Sequence, residues 1–153
     1  KVNEGSKVWC AAWPAQPVNF AALYESKIKE FAPQCKDQRG AQCGTFLVYD
    51  LDDIEDVGTD GVASQTDYDS PDVWKYNQDL NIILSGLIEA TAYTYIYCYA
   101  EDDENDGIGG SPNKMPFDSG PVEDSKASVV QANLGTVTTL DESPPSFTKL
   151  QIQ

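Results

Sequence analysis

Apolar and polar residues alternate along several short segments of the chain, which is the pattern of β-strands with one buried face. The first segment is residues 7–13, where Val8, Cys10 and Ala12 share one face and Pro14 follows. Residues 93–100 give the strongest signal because aromatic and β-branched residues dominate them. Short strands separated by turn-forming residues predict an all-β sandwich. The other predicted strand segments are residues 45–51, 80–84, 126–131 and 135–140.

One segment departs from this alternation. Residues 19–32 place apolar side chains at helical spacing, with charged residues between them. Asn19 is positioned to cap the start of this helix, and Pro33 to end it. We predict a short helical insertion between the early strands, with Trp9 and Trp13 beneath it. The apolar residues of the segment are Phe20, Leu23, Tyr24, Ile28 and Phe31.

The sequence changes character after residue 140. Residues 141–145 end in Pro144 and Pro145, and consecutive prolines interrupt a hydrogen-bonded ladder. Residues 146–153 then have the pattern of one more strand. We therefore divide the chain into a sandwich domain over 1–140, a linker over 141–145 and a separate strand over 146–153. The apolar side chains of that strand are Phe147, Leu150 and Ile152.

Charge and composition exclude several classes of function. The 153 residues include 10 Lys and Arg, 25 Asp and Glu and no His, for a net charge of −15 at pH 7. This acidity argues against nucleic acids and anionic membrane surfaces as partners. Without a run of about 18 apolar residues, we expect no membrane insertion. Because His is lacking and no carboxylate pair stands at a defined separation, we expect no enzymatic activity.

The four cysteines are even in number, and none of them forms a Cys-x-x-Cys motif. This spacing disfavours zinc and thioredoxin-like sites and favours two disulfides. Disulfides persist in oxidising compartments, so we expect an extracellular or cell-surface location. Spacing alone leaves three connectivities open among Cys10, Cys35, Cys43 and Cys98.

Acidic loops and aromatic side chains offer two alternative sites. Calcium binding is conceivable where carboxylates are dense, as in residues 50–60, 67–72 and 101–106. The last cluster has Asn113 where an EF-hand loop needs Glu, so solvated charge is the favoured interpretation and no cofactor is assigned. Glycan binding is the second alternative, although burial is favoured for these aromatic residues. The rings concerned are Trp9, Trp13, Trp74, Tyr95, Tyr97 and Tyr99.

Residues 84–101, Leu-Ser-Gly-Leu-Ile-Glu-Ala-Thr-Ala-Tyr-Thr-Tyr-Ile-Tyr-Cys-Tyr-Ala-Glu, resemble the fibronectin type III pattern. The resemblance implies an immunoglobulin/fibronectin III-like sandwich in which Tyr93 is the tyrosine-corner residue and Leu87 is buried. Ala100 follows Tyr93 by one residue more than the family pattern, which predicts a bulge at 94–95. With that bulge, three residues would face the core, namely Ile96, Cys98 and Ala100. Three others would face outward, namely Tyr95, Tyr97 and Tyr99.

The chain is also similar to divergent fibronectin III-like repeats in large extracellular proteins of algae and oomycetes. The similarity rests on Val8-Trp9-Cys10, Tyr97-Cys98 with Glu101-Asp102, and Thr139-Leu140-Asp141 with Pro144-Pro145. It implies that Cys10 on strand B and Cys98 on strand F form a disulfide across the sandwich. Cys35 and Cys43 would then form a local disulfide.

Against this family pattern, the sequence enters strand B directly and carries a strand-like segment after Pro144-Pro145. A sandwich without strand A exposes a groove that the tail strand of a neighbouring copy can fill. We therefore expect a structural, head-to-tail homopolymer, with a subunit interface formed by Pro144, Pro145, Phe147, Leu150 and Ile152. The tail can instead fold back on its own domain, or the unit can be one repeat of a longer chain. Another alternative is a monomeric adhesion or carbohydrate-binding module, stiffened by calcium.

Overall fold

The computed structural model describes residues 2, 4–31, 34–37, 39–45, 47–49, 75–76, 78–102, 111–117 and 135–141. Within these residues the chain forms short antiparallel ladders and one helix, so the fold is rich in β-structure. The elements are β1 (Ser6–Trp13), α1 (Phe20–Glu30), β2 (Cys35–Asp37), β3 (Ile82–Leu84), β4 (Ala92–Tyr93), β5 (Tyr95–Asp102) and β6 (Val137–Thr138).

The central unit is an antiparallel ribbon of β1 and β5. The ribbon runs from the pair Ser6–Asp102 to the pair Trp13–Tyr95. Cys10 lies directly opposite Cys98 in this register, and the two residues form a disulfide. The expectation that these cysteines face each other across a sandwich is therefore wrong, because their strands are neighbours in one sheet.

One face of the ribbon carries an aromatic core beneath α1. Trp13 packs edge-on against Phe20 and Phe31, with ring centroids 5.3 Å and 4.8 Å away. Tyr97 and Tyr99 are 4% and 0% exposed on the same face. The predicted place of Trp9 and Trp13 beneath the helix is confirmed, since Lys29 of α1 lies over the Trp9 ring. The prediction that Tyr97 and Tyr99 face outward is wrong. Tyr95 is half-buried and packs against the same core.

Helix α1 is shorter and less regular than the apolar spacing predicts. Asn19 occupies the N-cap position, but its side chain makes no capping hydrogen bond. The backbone is non-helical at Leu23, whose side chain is largely exposed. Phe20 and Ile28 are the fully buried contacts of the helix. No continuous apolar stripe holds the helix: between Phe20 and Ile28 it is held by Tyr24, whose ring packs against Tyr99 and whose hydroxyl donates to the Met115 carbonyl.

The other face of the ribbon is covered by β2 and β3, which pair from Cys35–Leu84 to Asp37–Ile82. β2 lies in a segment that the sequence predicts only as a polar loop. The disulfide between Cys35 and Cys43 closes that loop. Its turn is organised by the buried Asp37 carboxylate, which accepts hydrogen bonds from the backbone N–H groups of Arg39 and Ala41. A polar side chain thus supplies the local order that apolar periodicity does not signal.

The strand predicted over residues 93–100 is divided at Thr94. β4 pairs with β6, whereas β5 pairs with β1, so the chain changes partners at this residue. The Tyr93 hydroxyl accepts a hydrogen bond from the Ile88 N–H at 2.8 Å. Leu87, which the resemblance places in the core, is only half-buried. A change of strand partner thus stands where a bulge is predicted.

Residues 45–51 do not form the predicted strand in their described part. Val48 and Tyr49 make isolated bridges to Ser6 and Lys75. Gly44 has φ +81° beside the Trp9 indole, and a side chain there would collide with that ring. Further predictions lie outside the described residues: the segment 126–131, the linker 142–145 and the strand 146–153.

Candidate functional site

An apolar cavity of about 520 Å³ lies between the ribbon and residues 80–84. Three residues of β5 that line it, Ile96, Cys98 and Ala100, alternate along the strand with the buried tyrosines, of which Tyr99 also borders the cavity. Its floor contains the Cys10–Cys98 disulfide. The cavity is an apolar space beside an exposed sheet edge, and we call it the groove. Its lining residues are Val2, Val8, Cys10, Leu80, Asn81, Ile82, Leu84, Ile96, Cys98, Tyr99, Ala100 and Met115.

The outer edge of β5 is partly paired. The Cα atoms of Cys10 and Cys98 are 4.1 Å apart, as in a non-hydrogen-bonded antiparallel pair. The backbone N–H and C=O groups of the even-numbered residues of β5 therefore point away from β1. The Ala100 carbonyl accepts a hydrogen bond from the Met115 N–H at 2.9 Å, which satisfies one end of this edge. Among the described residues, no hydrogen bond reaches the outward N–H and C=O groups of Ile96 and Cys98.

The outer edge of β1 is already paired along its first half. Ser6 and Val48 exchange hydrogen bonds of 3.0 and 3.3 Å through their backbones. The Val8 carbonyl accepts from the Gly44 N–H at 3.0 Å. The expected vacancy for a strand A beside β1 is therefore wrong for these residues. Within the part of the chain that the structure describes, the unpaired backbone edge beside the groove is that of β5 at Ile96 and Cys98.

Opposite the groove, a charged network fastens α1 to the ribbon. The Lys29 ammonium lies 2.8 Å from the Glu101 carboxylate and 3.3 Å from Glu25. It also lies 4.6 Å from the centroid of the Trp9 ring, within the range of a cation–π interaction. Lys114 adds a 2.9 Å ion pair to Glu25, joining the chain after β5 to the helix.

The pKa shifts in this network favour one fixed charge state. Burial raises the pKa of the Tyr99 phenol above its usual value, and the Glu101 carboxylate raises it further. Burial also acts to raise the pKa of Glu25, but hydrogen bonds from Lys114 and Lys29 outweigh it, and the pKa falls below its usual value. Tyr99 thus stays neutral and Glu25 ionised near pH 7. On this side of the ribbon, these interactions hold α1 against the two strands.

The cysteine pairs are those that the family resemblance implies, Cys10–Cys98 and Cys35–Cys43. They link different parts of the site. The first joins the two strands beneath the groove. The second closes the turn after β2, and its Cys35 sulfur accepts a hydrogen bond from the Cys10 N–H. The two disulfides therefore meet at the ribbon.

The predicted interface residues Pro144, Pro145, Phe147, Leu150 and Ile152 lie outside the described residues. Of the third acidic cluster, Glu101 and Asp102 are described. Glu101 accepts hydrogen bonds from Lys29 and Tyr99, and Asp102 accepts one from the Asn113 N–H. In the described part of the chain, no three metal-ligating side chains are grouped for a metal ion.

The aromatic residues considered for glycan binding are mostly core residues. Trp9, Tyr97 and Tyr99 are buried beneath α1, while Trp13 and Tyr95 are half-buried there. Trp74 lies outside the described residues. The described rings therefore do not form an exposed platform.

No family model, curated protein or solved structure matches this chain. Among the described residues, no helix has both the length and the apolarity needed to cross a membrane. The two disulfides are compatible with a secreted or surface protein. Any function for the chain must therefore be argued from its own groove and strand edge.

Proposed function

We propose that this protein is a structural subunit of an extracellular filament and that it assembles head-to-tail. The C-terminal strand of one copy, residues 146–153, adds to the outer edge of β5 in the next copy. The sheet of β1 and β5 then gains a third strand, contributed by the neighbouring subunit. Its role is mechanical rather than catalytic, and its disulfides suit an oxidising environment outside the cell.

One observation carries this proposal: among the described residues, the edge of β5 at Ile96 and Cys98 is unpaired and lies beside an apolar groove. Ile96 and Cys98 present their main-chain groups to the outside, and their side chains line the groove. A strand added there gains backbone hydrogen bonds from the edge and burial of alternate side chains in the groove. Because strand addition gains both backbone hydrogen bonds and buried side chains, it differs from a simple apolar contact.

The pattern of the tail matches this surface. Leu150 and Ile152 are two residues apart, so they share one face of an extended strand. That face is suited to the groove, which is lined by aliphatic and sulfur-containing side chains. Phe147 has the opposite parity and falls on the side of the aromatic core. Because donor and acceptor are different surfaces, the contact repeats from copy to copy and propagates into a filament.

The test replaces the two groove-facing side chains of the tail. The variant Leu150→Asp/Ile152→Asp should stay folded but form no filaments, since burying unpaired carboxylates in an apolar groove is strongly unfavourable. The control Gln151→Asp/Gln153→Asp adds the same charge to the opposite face of the same strand and should assemble like the unmodified chain. Electron microscopy and light scattering measure both outcomes.

Normal filaments from Leu150→Asp/Ile152→Asp would show that the tail strand is not the link. Material from the native source separates the covalent alternative. Filaments of separate subunits should dissolve under denaturing, non-reducing conditions into chains of about 16.7 kDa. Very long chains under the same conditions would make each unit a repeat of one polypeptide, joined by peptide bonds.

A further inference from the structure

Two large apolar side chains stand exposed at the end of the domain from which the tail departs. Ile88 is 67% exposed and Leu140 is 76% exposed. Backbone and side-chain hydrogen bonds hold their segments together. The Ala90 N–H donates to the Leu140 carbonyl at 3.3 Å, and the Thr139 hydroxyl donates to the Ile88 carbonyl at 2.6 Å. Ile88 and Leu140 thus stand on two segments that are hydrogen-bonded to each other, and we call this pair of exposed side chains the junction patch.

We propose that the junction patch is covered by the neighbouring copy that receives the tail, which makes it a second subunit contact. This inference rests on the proposed function, because it takes the tail strand as the link between copies. It adds a rigid-body contact at each joint. The filament would then be stiff where subunits meet, instead of consisting of domains that are connected only by flexible linkers.

The length of the chain between the patch and the tail strand supports this occupant. Residues 141–145 span at most ~18 Å when fully extended, at about 3.6 Å per residue. A domain of about 140 residues has a radius of gyration of ~14 Å. The acceptor edge must therefore lie within about one domain radius of Leu140. A neighbour held so close lies beside the end of the domain that carries Leu140, so Leu140 is within its reach.

The two prolines of the linker reduce its freedom further. Consecutive prolines such as Pro144 and Pro145 favour an extended, semi-rigid chain, which reduces the number of positions that a neighbour can take relative to Leu140. The net charge of the chain is a second reason to expect an apolar contact between copies. Copies that each carry −15 repel one another, so association needs uncharged contact area at the joint. Ile88 and Leu140 provide such area beside the departing chain.

The experiment measures the critical concentration for assembly of the full chain by light scattering. Ile88→Asp/Leu140→Asp should raise it about 100-fold, equivalent to ~2.8 kcal/mol at 1.4 kcal/mol per tenfold change. The milder variant Ile88→Ala/Leu140→Ala should raise it about tenfold, because it loses apolar contact without adding charge. The control Val18→Asp/Leu23→Asp adds equal charge at two exposed apolar side chains on or next to α1, away from the groove, and should behave like the unmodified chain. Thermal unfolding of the unassembled variants should be unchanged.

The outcomes separate this inference from the proposed function. If both junction variants assemble at the unmodified critical concentration while Leu150→Asp/Ile152→Asp does not assemble, the junction patch is not a subunit contact and tail donation stands. An equal rise for Val18→Asp/Leu23→Asp would also overturn the inference, since added charge alone would explain the effect. If Leu150→Asp/Ile152→Asp assembles normally, the proposed function fails, and the inference that rests on it fails as well.

Discussion

The two disulfides should contribute unequally to stability, and the difference can be worked out from the residues that they join. Cys10–Cys98 links positions 88 apart, whereas Cys35–Cys43 links positions only 8 apart. A cross-link stabilises a fold mainly by restricting the unfolded chain, and the restriction grows with the logarithm of the closed loop. The perturbation is the pair of double variants Cys10→Ala/Cys98→Ala and Cys35→Ala/Cys43→Ala.

The chain-entropy relation gives ~4.6 kcal/mol for the longer loop and ~2.5 kcal/mol for the shorter one at 25 °C. Removing Cys35 also removes the sulfur that accepts the Cys10 N–H, a loss of about 1 kcal/mol. Even with this addition, the expected loss of stability is larger for Cys10–Cys98 than for Cys35–Cys43. Because domains are typically stable by about 5–15 kcal/mol, loss of Cys10–Cys98 should remove a large part of the total.

Guanidinium unfolding followed by tryptophan fluorescence measures both losses, with the unassembled Leu150→Asp/Ile152→Asp chain as background so that polymerisation does not contribute. The midpoint should fall further for Cys10→Ala/Cys98→Ala than for Cys35→Ala/Cys43→Ala. Equal losses, or a larger loss from the local pair, would refute the assignment of the long-range disulfide as the main restraint on the unfolded chain.

Two further predictions concern buried hydroxyl groups. Tyr93→Phe leaves the Ile88 N–H without its 2.8 Å acceptor and should cost about 1 kcal/mol in denaturant unfolding; no loss would show that this hydrogen bond is dispensable. The pKa of Tyr99 is raised by burial and by Glu101, so the folded state keeps a proton that the unfolded state releases near pH 10. Stability should therefore be complete below about pH 10 and decline above it, and ultraviolet titration should show one tyrosine that ionises only on unfolding.

Local patterns in the sequence predicted the main elements around the groove but not the faces of β5. β1 and the core of α1 follow from alternation and helical spacing. Both faces of β5 carry apolar side chains, since Ile96, Cys98 and Ala100 alternate with tyrosines. Period-two alternation therefore fits either orientation. The choice is made by α1, whose aromatic contacts place Tyr97 and Tyr99 beneath the helix.

The pairing of strands is the part that local pattern could not supply. Cys10 and Cys98 were paired through the family resemblance, but β1 and β5 lie in one sheet rather than opposite each other. Among the described residues, the edge that is left unpaired is set by contacts between separate segments, such as Val48 with Ser6 and Met115 with Ala100. Short β2 was missed because the buried Asp37 organises its turn through polar contacts.

The most direct test of strand addition is amide hydrogen exchange at Ile96 and Cys98, compared between filaments and the unassembled Leu150→Asp/Ile152→Asp chain. Tyr97 is an internal reference, because its N–H points toward β1 in the ribbon and should be protected in both forms. We expect the amides of Ile96 and Cys98 to exchange rapidly before assembly and to become protected within filaments. Unchanged exchange of these two amides on assembly would contradict the addition of a strand to β5.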